Sequence, residues 1–403
     1  MRAGIGRTPT LVCMTAWLLP ERFSDVLPSE AAAIEALRRM LLDHVASHGY
    51  ELVIPPLLEF VDSLLSGTGQ DLDLQTFKLV DQVSGRTLGL RADMTPQAAR
   101  IDAHLLNRQA IVRLCYCGSV VHTHAQGVYA TREPLQFGVE CYGQGGLEAA
   151  LEVQRLALHS LRLAGFQGLA LGLSDARLVR GVLGGLVAGP ARLSAMLEAL
   201  ARKDVARLGQ LTRDLPQAQR DPILALCDLY GDVSVLEQAR QVLPRRDAVE
   251  QALADLERLA QAHAAAGCEV QIDLADMRGY HYHTGVIFAI YAKDRPDALA
   301  RGGRYDEIGA SFGRSRPATG FSLDLRELVR SAPMARPRAA VRAQWSEQPG
   351  YASAVRALRD SGEVVIELPA GARFESDGFR LDRELACSDG KWFVRACGEA
   401  DAR

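Results

Sequence analysis

Gln136-Phe137-Gly138-Val139-Glu140-Cys141-Tyr142 is the stretch on which the fold turns. Phe137, Val139 and Cys141 alternate with Gln136, Gly138 and Glu140, the two-residue period of a β-strand that lays one face on a core. The other face carries Gln136 and Glu140 together. A solvated strand face is the plain reading of a lone carboxylate there, but the amide on the same face points to a shared pocket.

Outward from this strand, residues 110–121 read as a second strand, with Cys115 and Cys117 on one face as core thiols. Residues 148–164 form an amphipathic helix. Further back, Ile34, Leu37, Leu41 and Val45 make one helical stripe, with Ser29 before it and Gly49 placed to end it. Residues 51–59 read as a strand running into Pro55-Pro56. Residues 76–91 read as a hairpin turning at Ser84-Gly85. From about 170 to 266 the chain is rich in Ala, Leu and Arg, with helical periods such as Val249, Leu253, Leu256 and Ala260. Strand patterns return at 270–274 and 285–291, residues 324–330 look helical, and the prolines of 333–337 mark a linker. Beyond it lie one helix, 351–361, and a few strands.

Composition narrows the function classes. The 403 residues are 48% apolar and 24% charged, as in a globular chain of two or three domains. There are 46 basic against 49 acidic residues, a net charge of -3, where a dedicated nucleic-acid binder shows a basic excess. The 8 cysteines form no CxxC and too thin a set for a disulfide framework. No apolar run is long enough to span a membrane. The first 13 residues lack a signal-peptide core and read as a disordered extension, with Met14 as the natural start.

Seven segments, in this order, resemble histidyl-tRNA synthetase and its paralogues. They are Asp25-Val26-Leu27-Pro28; Gly49-Tyr50 with Pro56 and Glu59; Leu90-Arg91-Ala92-Asp93-Met94-Thr95-Pro96; and Gln136 to Glu140. The remaining three are Arg278-Gly279-Tyr280-His281-Tyr282-His283-Thr284-Gly285, Gly302-Gly303-Arg304-Tyr305-Asp306 and Thr319-Gly320-Phe321. The resemblance implies an α+β fold of the class II aminoacyl-tRNA synthetase type: an antiparallel sheet of six to seven strands flanked by helices. It divides the chain into a core at 14–168 and 267–332, a helical insert at 169–266, and a small C-terminal domain at 338–403.

Adenylate formation needs cations against the developing phosphate charge, and the planar fork of Arg suits that task. The family places an Arg and then a Glu in motif 2. Gly118-Ser119-Val120-Val121-His122-Thr123-His124 carries His122 and His124 at those positions, and only Arg132 remains in the following loop. Motif 3 of the family ends in an Arg, where this chain has Glu327, and Asp324 stands where a Gly admits the nucleotide. Two carboxylates there repel ATP. The resemblance implies that the amino-acid side is kept: Asp93, Thr95 and Gln136 match the residues that receive an α-amino group. Glu140 matches the imidazole partner, Arg278 a carboxylate or phosphate partner, and Tyr282 one of a tyrosine pair whose second member is here His283. Bland roles compete with these: a structural ion pair for Arg278, and a helix N-cap for Asp93. The HxH pairs His122/His124 and His281/His283 allow a zinc site. Decay of the two motifs explains them better, so neither a metal nor a cofactor is expected.

Residues 338–403 do not resemble the family's tRNA-reading module. A class II core without its ATP arginines and without that module resembles the regulatory subunit paired with short-form ATP phosphoribosyltransferase, the first enzyme of histidine biosynthesis. That resemblance implies a non-catalytic cytoplasmic protein, homodimeric through the 51–59 segment and held in a hetero-oligomer with the catalytic subunit. Histidine is then the effector, and tRNA is no partner. An active histidyl-tRNA synthetase with a divergent motif 2 is the alternative.

Overall fold

The structure, a computed structural model, describes residues 18–66, 69–125, 127, 130–276, 283–293, 295–331 and 337–397. In chain order its strands are β1 (Glu51–Leu52), β2 (Leu58–Phe60), β3 (Lys78–Val80), β4 (Thr87–Leu90), β5 (Val112–Ser119), β6 (Leu135–Tyr142), β7 (Leu169–Asp175) and β8 (Tyr230–Gly231). They continue as β9 (Glu269–Asp273), β10 (Val286–Ala292), β11 (Ala300–Arg304), β12 (Ala318–Asp324), β13 (Arg338–Gln344), β14 (Val365–Leu368), β15 (Phe379–Ser388) and β16 (Lys391–Ala396).

Nine of them form one sheet in the order β1-β5-β6-β12-β11-β10-β7-β9-β8. The six central strands, β5 to β7 in that order, pair antiparallel throughout. This is the sheet expected from the sequence, but it is wider: β1 adds to β5 and β9 to β7, both in parallel. The helix Pro28–Ala46 buries the predicted stripe of Ile34, Leu37, Leu41 and Val45 against one face of the sheet, together with the helix Leu147–Leu163. Leu41 and Val45 are fully buried, and each such side chain contributes about 1.5–3 kcal/mol. The helix begins at Pro28 rather than after Ser29, and Gly49 takes the left-handed turn beyond its end, at φ +80°.

Three expectations need correction. The 51–59 strand is two short pieces, β1 and β2, because Pro55 and Pro56 have no N–H to give a ladder. The helical insert does not begin at residue 169. Leu169–Asp175 is β7, with Leu169, Leu171 and Leu173 buried at period two, and Ala and Leu content masked that period. Helices take over at Ala176, where Asp175 caps the first of them by accepting from the Arg177 N–H at 2.9 Å. Asp324 closes β12 instead of opening a helix, which starts at Leu325.

The hairpin at 76–91 is β3 and β4, joined with β2 in a small sheet. Its turn is fixed by the Asp81 carboxylate, which accepts from the Val83 and Ser84 N–H groups. Beyond residue 337 a separate four-stranded sheet, β14-β13-β15-β16, packs one helix, Tyr351–Asp360, over Val341, Ala343, Val365 and Leu385. Residues 1–13 and 333–336, assigned to an extension and a linker, lie outside the described residues.

Candidate functional site

The face of the large sheet opposite the helices carries the polar residues. Directly paired residues of an antiparallel sheet project to one side. Glu140 on β6 pairs with Gly320 on β12, which pairs with Gly303 on β11; one step along, Gly138 lies between Tyr116 and Ser322. The three glycines are spacers. A Cβ on Gly138 would run into the Tyr116 ring, and one on Gly303 into the His283 ring. On Gly320 it would strike Glu140 Oε2, the Tyr305 hydroxyl and the Val139 carbonyl. The missing Cβ atoms therefore let Tyr116, Glu140, Tyr305 and His283 lie close against the backbone on this face of the sheet.

Glu140 is 1% exposed. Its Oε1 accepts from the Tyr116 hydroxyl at 2.9 Å, and Tyr116 also bonds Thr95 Oγ1 at 2.9 Å. Glu140 Oε2 is buried without a hydrogen bond among the described residues. Burial drives the Glu140 carboxyl well above the carboxylate range and the Tyr116 phenol above its own. Leaving such an acceptor unmet in the interior costs roughly 1–3 kcal/mol.

The loop before the helix Thr95–Arg100 forms the rim. Asp93 Oδ1 accepts from Gln136 Nε2 at 2.7 Å and from the Thr95 N–H at 3.0 Å, while Gln136 Oε1 takes the Met94 N–H at 2.9 Å. Asp93 thus does serve the start of the helix and also holds Gln136. Thr95 is 8% exposed and leans on Tyr116.

The half that a nucleotide would need is built otherwise. His122, 7% exposed, bonds the Ala92 carbonyl through Nε2 at 2.8 Å, and burial lowers its pKa, so it is neutral. His124 is exposed and turns to Thr123. Arg132 gives its guanidinium to the His122 carbonyl at 3.0 Å and lies over the rings of Phe23 and Phe77. Arg326 faces Glu133 and Ser24. Asp324 accepts from the Leu135 and Arg326 N–H groups, and burial pushes its pKa up to about 6. Burial raises Glu327 as well, with Arg295 only 3.9 Å away.

Of the seven residues singled out by sequence, Asp93, Thr95, Gln136, Glu140 and His283 lie together on this side of the sheet. Asp93 and Gln136 meet directly, Thr95 reaches Glu140 through Tyr116, and His283 meets Tyr305 edge to face with ring centres 6.3 Å apart. Arg278 and Tyr282 lie outside the described residues, as does His281. Sequence reasoning missed Tyr116, whose signal was present: it sits between Cys115 and Cys117 and must face the other way. It also missed Tyr305 and Gly320, both inside quoted segments, and Arg91, whose partners are remote in sequence. Among the described residues no three His, Cys, Asp or Glu side chains assemble for a metal ion, and no helix is long and apolar enough to cross a membrane.

Known proteins match this architecture along nearly all of the chain. A family profile described as histidyl-tRNA synthetase matches residues 22–328, and one described as the ATP phosphoribosyltransferase subunit HisZ C-terminal domain matches 338–395. The ATP phosphoribosyltransferase regulatory subunit of Variovorax paradoxus (strain S110) is 54% identical over 385 residues, covering 95% of this chain and 100% of that protein. That of Paraburkholderia phytofirmans is 54% identical over 387 residues, with the same coverage. Among solved structures, a protein of Bacillus halodurans described as an ATP phosphoribosyltransferase regulatory subunit/histidyl-tRNA synthetase superposes with a TM-score of 0.79 at 26% identity. The match covers 90% of this chain and 95% of that one. Histidyl-tRNA synthetase from Nostoc sp. PCC 7120, at 18% identity and TM-score 0.73 over 94% and 97% of the two chains, shares the fold.

Proposed function

The chain belongs to the ATP phosphoribosyltransferase regulatory subunits, within the histidyl-tRNA synthetase family, and from that membership we propose how its synthetase-like core is used. Its role is regulatory: it serves the first step of histidine biosynthesis rather than charging tRNA. The observation that carries this reading is the state of the nucleotide half. The motif 2 position holds a neutral imidazole spent on the Ala92 carbonyl, and the motif 3 end holds two carboxylates raised by burial. Such a surface offers nothing to a triphosphate, so the core forms no adenylate.

The amino-acid half is proposed as the effector pocket, with histidine as ligand. Asp93, Thr95 and Gln136 take the α-amino end, Glu140 takes the imidazole with His283 and Tyr282 beside it, and Arg278 takes the carboxylate. The unmet oxygen of buried Glu140 supports this, since a ring N–H supplies the partner it lacks. The partner protein is a short-form catalytic subunit in the cytoplasm. Two regulatory chains associate through the segment spanning β1 and β2, where Leu52, Ile54, Leu57 and Leu58 are 49%, 84%, 42% and 43% exposed. A second copy suits this patch because a two-fold interface is self-complementary.

The test is reconstitution. A short-form phosphoribosyltransferase from the same genome, inactive or weakly active alone, should co-purify with this chain, gain activity and become inhibited by histidine. A catalytic subunit that is fully active and histidine-sensitive without it would overturn the reading.

A further inference from the structure

Pro55 and Pro56 interrupt the edge of the sheet, and their carbonyls have no strand ladder to enter. Two buried side chains supply the donors. Arg91, 6% exposed, reaches the Pro55 carbonyl at 2.6 Å and the Ser119 carbonyl at 2.8 Å, while its backbone N–H bonds the Leu57 carbonyl at 3.0 Å. Gln97, 2% exposed, donates from Nε2 to the Pro56 carbonyl at 2.8 Å and to Glu59 Oε1 at 2.7 Å. Arg100 grips the same Glu59 oxygen at 2.5 Å.

Arg91 and Gln97 flank the pocket rim itself. Between them lie Asp93, bonded to Gln136, and Thr95, bonded through Tyr116 to Glu140. One seven-residue stretch thus has its inner side on the pocket and its outer side on the segment that carries Ile54, Leu57 and Leu58. Hydrogen bonds are short-ranged, so a shift of the 55–57 carbonyls by an ångström breaks them or drags the rim along.

We propose that Arg91 and Gln97 couple pocket occupancy to self-association, so that an amino-acid ligand binds the dimer more tightly than the monomer. This rests on the pocket and interface readings above. The element with two states is the 53–57 segment. In a dimer its apolar side is covered and its carbonyls are held where Arg91 and Gln97 expect them. In a monomer that side faces water, and nothing outside the chain keeps the segment from shifting away from Arg91 and Gln97. Linkage makes the effect reciprocal: whatever factor the dimer adds to ligand affinity, the ligand adds to dimer affinity.

The experiment measures the dimer dissociation constant of the full chain by sedimentation from nanomolar to micromolar concentration, and subunit exchange between two labelled pools. Both are run with and without saturating free histidine, whose binding is followed separately by calorimetry. Wild type should show at least tenfold tighter association and slower exchange with histidine. Gln97→Met, which keeps the length and removes both donors, should still dimerise and bind histidine, with the shift reduced below twofold. Arg91→Lys, which keeps the charge and loses the fork, should move the same way. A role confined to stability would lower the melting temperature and leave the tenfold ratio intact. Histidine that binds wild type yet leaves association and exchange unchanged overturns the coupling alone. Histidine that fails to bind at all overturns the pocket reading and the coupling with it, and a chain that stays monomeric overturns the interface.

Discussion

The two halves of the cleft are built differently, though they share strands β5, β6 and β12. In the amino-acid half, polar side chains hold one another: Gln136 to Asp93, Thr95 to Tyr116 to Glu140, with Glu140 Oε2 unpartnered among the described residues. In the nucleotide half the polar groups bond to the protein itself, with His122 Nδ1 and Arg326 Nε left without a hydrogen bond among the described residues. His122 is tied to Ala92, Asp324 to the N–H groups of Leu135 and Arg326, and Arg326 to Glu133 and Ser24. The difference between the two sides lies in which protein groups the polar side chains hold, on one shared set of strands.

The largest effect that tests this contrast is in catalysis. With histidine, ATP and magnesium, the purified chain should show pyrophosphate exchange equal to a buffer blank. The double change His122→Arg with Glu327→Arg should remain inactive as well, because Asp324 still occupies the nucleotide side. Each missing electrostatic contact to the transition state costs roughly 10²–10³ in rate, so several missing together leave nothing measurable. Robust exchange by wild type would erase the distinction between the halves.

Next is the pocket. Glu140→Gln and Arg278→Ala should each weaken histidine inhibition of the assembled phosphoribosyltransferase on the order of a hundredfold, about 2–3 kcal/mol. Assembly with the catalytic subunit should persist in both. Wild-type histidine sensitivity in both variants would place the effector elsewhere, and the amino-acid half would then be as vestigial as the other.

Much of this was legible in sequence, for reasons that differ by residue. Gln136 and Glu140 declare themselves because a strand alternates faces, and the same rule exposes Tyr116 once Cys115 and Cys117 are assigned to the core. The helix Pro28–Ala46 follows from its stripe alone. β7 was hidden because small residues fill its alternate positions, so an Ala- and Leu-rich strand imitates a helix. The work of Arg91 was illegible: its partners Pro55 and Ser119 are 36 and 28 residues away, and only the folded chain brings their carbonyls together. The bond between His122 and the Ala92 carbonyl, 30 residues off, was out of reach for the same reason.

The smallest effect concerns pH and sharpens the contrast on the nucleotide side. Burial raises the Asp324 pKa from the ordinary 3.8 to about 6, so between these values the folded chain holds a proton that the unfolded chain has released. Stability from this group is therefore fully present below pH 3.8 and is lost as pH rises through 6. Glu327 and Glu140 are raised in the same direction, so the wild-type curve alone does not isolate Asp324. The comparison with Asp324→Asn does. The amide oxygen can still accept from the Leu135 and Arg326 N–H groups, but it has no proton to lose. Relative to wild type, the variant should gain about 1 kcal/mol between pH 5 and pH 8 in urea unfolding. A difference that stays flat across that range would mean Asp324 is ionised in the fold at pH 5. Burial would then not govern the charge of Asp324 on the nucleotide side.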